Sequence, residues 1–295
     1  MSTKRKVWIG VGIYLVVTIA IIAAVGWKGV KHPKYAPQNE FKLTSWVNLG
    51  IFSINKAVLY LFLAAILTCA TMIYVARRMK QRPNRVQTAV EFVFQGLQNN
   101  VVGANMDRRM AAKWFPFIAT LALFIFYSNL VGYIPLPTST ETFNVFGLHI
   151  PTFSLYAATA NLSIPLVLAI VVFVSYTSEG IRAKGPLGYL KGLIPSGVHG
   201  PMAGFIFCLE VLSNVMRLIS LSVRLFANIL AGHLIILFMA GALAVILGVA
   251  ALGWITLPFG VALFAFEVGL VAALQAFIFA TLTAIYLGGA VSHDH

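Results

Sequence analysis

Charge is scarce in this sequence. Asp, Glu, Lys and Arg make up 10% of its 295 residues, where soluble domains carry about 25%. With 60% apolar residues and a mean hydropathy of +0.89, the composition points away from a water-soluble domain. Alternating polarity is missing too. The apolar stretches are continuous and about 20 residues or longer, which argues for membrane helices and against a β-barrel. Cysteine is rare: Cys69 and Cys208 both fall in apolar runs without metal-ligand spacing, so they read as small buried residues and no metal is expected. There is no GxxxxGK[ST] loop to cradle a nucleotide, no HExxH and no aspartate-rich motif. No cofactor is expected, and an intramembrane enzyme lacks a nucleophile–base pair or metal cluster.

What charge there is is mostly positive, +13 net, and it flanks the hydrophobic runs. That placement fits membrane topology and argues against nucleic acid. Lys4, Arg5 and Lys6 precede an apolar run from Val7 to about Gly26. The run is long for a signal peptide and is expected to be a retained anchor, with cleavage near Ala23 and Ala24 as the alternative. Residues 27–56 read as a polar outside loop. Two parts result: 1–56, anchor or signal plus loop, and 57–295, the membrane domain.

Spans are expected at Ala57–Ala76, Trp114–Ile134 and Ser154–Tyr176, followed by two long helices at about 203–250 and 258–290 with a break near Gly253–Pro258. Between the first two of these lies RRMKQRPNR and then Val86, Val90, Val93, Leu97 and Val101 at helical spacing, an amphipathic helix suited to the interface. With the N-terminus inside, the inside segments hold 14 Lys and Arg and the outside segments 5, all in residues 27–56. The fold class is therefore all-α and polytopic, about six helices, with both termini cytoplasmic. About 20 residues cross the hydrocarbon, so the penultimate helix must tilt, break or run partly along the membrane plane.

Four charged residues lie within the last two apolar runs: Glu210, Arg217, Arg224 and Glu267. Arg224 is the most informative. A guanidinium at bilayer depth costs about 2.5–3.5 kcal/mol on insertion scales and cannot shed its proton. Glu210, Arg217 and Arg224 recur every seven residues, within about 20° of two full turns, and so share one stripe. Asn228 stays near that face. His233 lies roughly opposite, and Glu267 and Gln275 come from the last helix. Arginine holds a carboxylate ionised and bars cations, while Glu and His exchange protons from reference pKa values of about 4.3 and 6.5. Such a set reads as an ion path with a cationic gate, too sparse to cross the membrane unaided and calling for a mobile carboxylate from another subunit. Small residues at Ala227, Ala231, Gly232, Gly241, Ala242, Ala244 and Gly248 let a partner helix approach. A self-contained ion-coupled transporter, with Arg224 binding an anionic substrate, is the competing reading.

SLSVRLFANILAGHLI at 220–235, LQAFIFATLTAIYL at 274–287 and FYSNLVGYIP at 126–135 together resemble the signature of subunit a of F-type ATP synthases, over roughly residues 50–290. The resemblance implies two long tilted helices against a rotating ring of c subunits, a stator subunit b, and proton translocation across a cell inner (plasma) membrane, with Na⁺ equally compatible. It implies that Arg224 faces the ring carboxylate with Asn228 and Gln275 beside it. Glu210 and Arg217 then belong to a cytoplasmic half-channel, and Asn129, Glu267 and His233 to an outer one. Phosphoryl chemistry belongs to other subunits. This sequence departs from the common pattern in three places. Ala227 replaces a frequent glycine, His233 and Glu267 look exchanged, and Glu267 precedes Gln275 by eight residues where about seven are expected, which turns it by roughly 100° about its helix.

Overall fold

The computed structural model describes residues 12–14, 16, 19–20, 43, 45–49, 52–78, 84–137, 142–145, 148–151, 155–194, 200–239 and 250–291. The expected anchor at 7–26 and the small-residue positions 241–248 lie largely or wholly outside them. Among the described residues, helix α1 runs Lys56–Arg78, α2 Arg85–Gly96, α3 Arg108–Val131, α4 Ser163–Lys184, α5 Pro186–Lys191, α6 Pro201–Leu237, α7 Ala250–Phe266 and α8 Ala272–Val291. Five helical stretches are long and apolar enough to cross a membrane. The chain is an all-α polytopic membrane protein, as its composition implies. Two antiparallel hairpins stand where loops were expected, one before α1, β1 (Ser45–Leu49) with β2 (Phe52–Asn55), and one between α3 and α4, β3 (Thr142–Val145) with β4 (Leu148–Pro151).

Local chemistry sets the helix ends. Asn55 accepts from Val58 N at 3.1 Å to open α1, and Asn84 accepts from Arg85 N at 2.7 Å to open α2, each side-chain oxygen satisfying an otherwise orphaned donor. Helix α2 does not stop at Gly96 but passes into a π turn, Leu97–Val102. Leu97 and Val101 of the amphipathic pattern are buried, while Phe92 stays exposed on the other side. At the end of α4, Gly185 has φ +74°, a left-handed conformation that glycine adopts without steric cost.

Several boundaries differ from expectation, and the largest is that α4 begins at Ser163, not Ser154. Helix α3 starts at Arg108, not Trp114, so Lys113 is helical. Helix α4 runs on to Lys184, not Tyr176, so Glu179 belongs to it. The last helix is already formed at Ala250 and carries Pro258 inside it. Pro258 therefore marks no break, because a proline within a membrane helix is tolerated where neighbours re-satisfy the freed backbone. At about 1.5 Å per residue, the 37 residues of α6 extend about 55 Å, far beyond a hydrocarbon core of about 30 Å.

The core joins α3, α4, α6 and α8. Ile118, Ile125, Val172, Tyr176, Leu225, Ile229, Phe279 and Leu287 are among its buried members. Ala272, Ala276, Ala280 and Ala284 recur every four residues along α8 and are all buried, a small-residue stripe that lets the neighbouring helices approach closely. Cys69 and Cys208, expected to be buried, are both exposed. Their helices turn those positions outward, where lipid rather than protein covers an apolar side chain.

One ion pair ties the inner ends of α3 and α4. Lys113 Nζ lies 2.5 Å from Glu179 Oε1, and Arg182 Nη1 lies 4.0 Å from Oε2. Glu179 is nearly buried while Lys113 is half exposed. Removing the carboxylate in Glu179→Ala is expected to cost about 1–3 kcal/mol, the scale of a charge-assisted hydrogen bond. The check is a lower melting temperature of the detergent-solubilised protein; an unchanged value would mean the pair contributes nothing.

Candidate functional site

Two polar clusters form at opposite ends of the α6–α8 pairing. The outer one gathers side chains from four places in the chain. Helix α3 ends at Val131 and the backbone turns at once, with Tyr133 N bonding Leu130 O at 3.2 Å and Ile134 N bonding Val131 O at 3.0 Å. This turn aims Tyr133 inward, where its hydroxyl donates to Glu267 Oε2 at 2.9 Å. The Tyr133 ring stacks on His233, centroids 4.7 Å apart and 28° between planes, and meets Phe264 edge-on at 5.7 Å. His233 is buried, with Nδ1 3.0 Å from Ile229 O and Nε2 3.2 Å from Gly132 O. One turn back on α3, Asn129 is fully buried. It accepts from Thr159 Oγ1 at 2.8 Å and donates to Ala272 O at 3.5 Å.

The Glu267 spacing has a local explanation. Residues Glu267–Val271 form a π turn, closed by Ala272 N donating to Glu267 O, between α7 and α8. A π turn takes one residue more than an α turn. The eight-residue separation from Gln275 is thereby absorbed, and Glu267 turns back toward the face that Gln275 and Ala272 share. Gly232 of α6 sits directly against it: a Cβ at that position would overlap the Glu267 carboxylate. The small residue at 232 therefore makes room for the acid within the chain itself.

The inner cluster lies on the first half of α6. Glu210 and Arg217 form an ion pair at 3.5 Å, as two positions two turns apart on one stripe allow. The Arg217 guanidinium lies 5.8 Å from the centre of the Tyr286 ring, within cation–π range. Tyr176 of α4 donates to Asn214 Oδ1 at 3.5 Å and its ring lies 5.8 Å from that of Tyr286.

Between the clusters the interior is largely apolar, with Ser222 and Gln275 as buried polar members. Leu221, Leu225 and Ile229 of α6 pack with Ala276, Phe279 and Ala280 of α8 and with Ile118, Leu121 and Ile125 of α3. Arg224 and Asn228 sit at this level but on the other side of α6, both exposed. Met216, Ile219, Val223 and Ile235 share that outward surface, as do Ala227 and Ala231. Among the described residues Arg224 has no ion-pair partner. Along the axis it stands about 10 Å from Arg217 and about 13 Å from His233. Gln275 departs from this grouping: it is buried, in the stripe of α8 that holds Ala272 and Phe279.

The structure thus brings Glu267, His233 and Asn129 into one neighbourhood and Glu210 with Arg217 into another, leaving Arg224 with Asn228 on a face between them. Tyr133, Thr159, Tyr176 and Tyr286 were not anticipated. Tyr133 lies inside FYSNLVGYIP and was within reach of a sequence signal; Thr159 sits in a bland segment that offers none.

Comparisons with known proteins identify the family. The family model described as ATP synthase A chain matches residues 58–288. An ATP synthase subunit a of Rubrobacter xylanophilus is 33% identical over 237 residues, covering 80% of this chain and 83% of its own. That of Rhodopseudomonas palustris is 34% identical over 272 residues, covering 88% and 98%. That of Helicobacter hepaticus is 34% identical over 252 residues, covering 83% and 90%.

The contact between Gly232 and Glu267 yields a test. In Gly232→Val the branched side chain is expected to displace the carboxylate from the Tyr133 hydroxyl, an overpacking of about 1–3 kcal/mol. The melting temperature of detergent-solubilised Gly232→Val is expected to fall accordingly, and a value unchanged from the parent would show that the contact is incidental.

Proposed function

The chain belongs to the ATP synthase A chain family, and from that membership we propose that it supplies two proton half-channels and an arginine gate to a rotating ring of c subunits. It is a multi-pass membrane protein of the kind its bacterial relatives represent. Residues 1–56 act as anchor and outside loop and residues 57–295 as the conducting domain, with both termini in the cytoplasm and subunit b as stator.

The observation that carries the proposal is the separation of two polar clusters by an apolar core, with one exposed cation on the outer face between them. A charge cannot pass through the Leu225, Ile229 and Phe279 layer without losing its hydration, which costs several kcal/mol or more. A proton that reaches the outer cluster must leave it sideways. The surface of α6 offers that exit, because a carboxylate carried by another subunit and moving across this face would meet Arg224.

The steps follow. A proton arrives from outside by way of Asn129, Glu267 and His233 and neutralises a ring carboxylate. The neutral acid then travels through lipid, where its ionised form is too costly. When the ring brings it to the other side of Arg224, the acid releases its proton toward Glu210 and Arg217 at the inner end. Arg224, always charged, stabilises the resulting anion and repels a proton that would cross directly. Gln275 and Asn228 lie beside this path, Gln275 inside the helix pair and Asn228 on the ring-facing surface. The chain performs no phosphoryl chemistry; ATP is made or hydrolysed elsewhere in the complex. The steps are those of a proton; the choice between H⁺ and Na⁺ lies with the ring's own site rather than with this chain.

Two substitutions test the scheme in vesicles carrying the whole complex. Arg224→Ala is expected to abolish ATP-driven proton pumping, and normal coupling would reject the gate. His233→Ala is expected to cut proton flux at least tenfold, in line with the 10²–10⁴-fold worth of a positioned proton-transfer group; undiminished flux would remove His233 from the path.

A further inference from the structure

The outer cluster contains a group that the scheme above does not use. Tyr133 touches both titratable side chains there: its hydroxyl bonds Glu267 at 2.9 Å and its ring stacks on His233 at 4.7 Å. It is almost fully buried, 4% exposed, and held on the backbone turn that closes α3. Phe264 abuts its ring from the Glu267 side. A purely space-filling role needs only the ring. The hydroxyl is a buried polar group whose partner is a carboxylate oxygen, and a buried hydroxyl without a partner costs about 1–3 kcal/mol.

The direction of the bond follows from ordinary acidity. A phenol with a reference pKa near 10 is a donor at neutral pH, so Glu267 Oε2 accepts. If Glu267 carries a proton, that proton must sit on Oε1, the oxygen Tyr133 leaves free. The same residue constrains the histidine. Both His233 nitrogens face carbonyl oxygens, those of Ile229 and Gly132, and a neutral imidazole has one N–H to offer. The neutral ring therefore donates to one of the two carbonyls at a time, and Tyr133 stacks against it in that position. Facing Glu267 are Tyr133 from the turn after α3 and Gly232 from α6, with His233 behind the Tyr133 ring.

We propose that Tyr133 is a positioning residue of the outer half-channel: its hydroxyl pins one oxygen of Glu267 so that the other exchanges the proton, and its ring fixes His233 alongside. The proposal rests on the proton-path reading above.

The experiment uses the complex with its c-ring reconstituted in vesicles. Proton flux is measured against pH for the parent, for Tyr133→Phe, and for the protein with 3-fluorotyrosine incorporated at position 133. Phe keeps the ring and its stacking but removes the hydroxyl. Because a hydrogen bond to the ionised form favours that form, its loss is expected to move the pH–flux profile upward by about one unit, the equivalent of one hydrogen bond. The fluorinated ring is nearly the same size and a stronger donor, and is expected to move the profile downward. Opposite shifts support the proposal. An unmoved profile in Tyr133→Phe overturns it, and so does an upward shift in Tyr133→Phe without a downward one from fluorotyrosine, since that pattern reports repacking. Should Tyr133→Phe fail to co-purify with the ring, the fluorotyrosine arm decides alone, a downward shift supporting and no shift overturning. Arg224→Ala, run in parallel, separates the two ideas: intact coupling there would sink the gate, whatever position 133 does.

Discussion

A guanidinium that cannot lose its proton must be met by an anion or by water when it stands at bilayer depth. In this fold the requirement is not met from within the described chain. Glu210 is engaged by Arg217, Glu179 by Lys113, and Glu267 by the Tyr133 hydroxyl. Each carboxylate at helix depth already has a partner, while Arg224 lies on an exposed face with apolar neighbours. The rest of the architecture is consistent with that one unmet charge. A largely apolar core lies behind it, and the two polar clusters lie toward the two ends of the same helix.

The packing that isolates the clusters depends on small residues used in two ways. Along α8, alanine at every fourth position lets the neighbouring helices pack closely around a largely apolar middle, which also buries Ser222, Gln275 and Thr283. At Gly232 a missing side chain leaves space for Glu267. The stripes Ala227 and Ala231, expected to receive a partner, are on the exposed surface and remain open to one, whereas Gly232, of the same run, is taken up internally. Similar residues in one short segment thus serve packing within the chain on one side and approach from outside on the other.

Much of the fold could be read from hydropathy alone. Five long apolar helices, the basic clusters at their ends and the amphipathic helix before α3 all follow from residue type and a 3.6-residue period. Helix ends were harder. The expected spans Trp114–Ile134 and Ser154–Tyr176 left Lys113 and Glu179 outside because charged residues usually mark interfaces, yet both lie within their helices and pair with each other. Pro258 looked like a break because proline removes a hydrogen bond, a loss that surrounding helices can offset. The hairpins and the π turns carry no strong signal, since a single inserted residue alters hydrophobic periodicity very little.

The sequence by itself determined that this is a membrane protein, which segments cross, that Glu210 and Arg217 share a stripe, and that Arg224 is the unusual charge, because these depend on composition and on spacing within one helix. Tertiary structure decided what no one-dimensional spacing contains: that the π turn rotates Glu267 inward, that Tyr133 joins it to His233, that Gln275 is buried, and that Arg224 faces out. Those outcomes arise from how separate helices are rotated against one another, and that rotation is set by packing between distant segments rather than by the order of residues along any one of them.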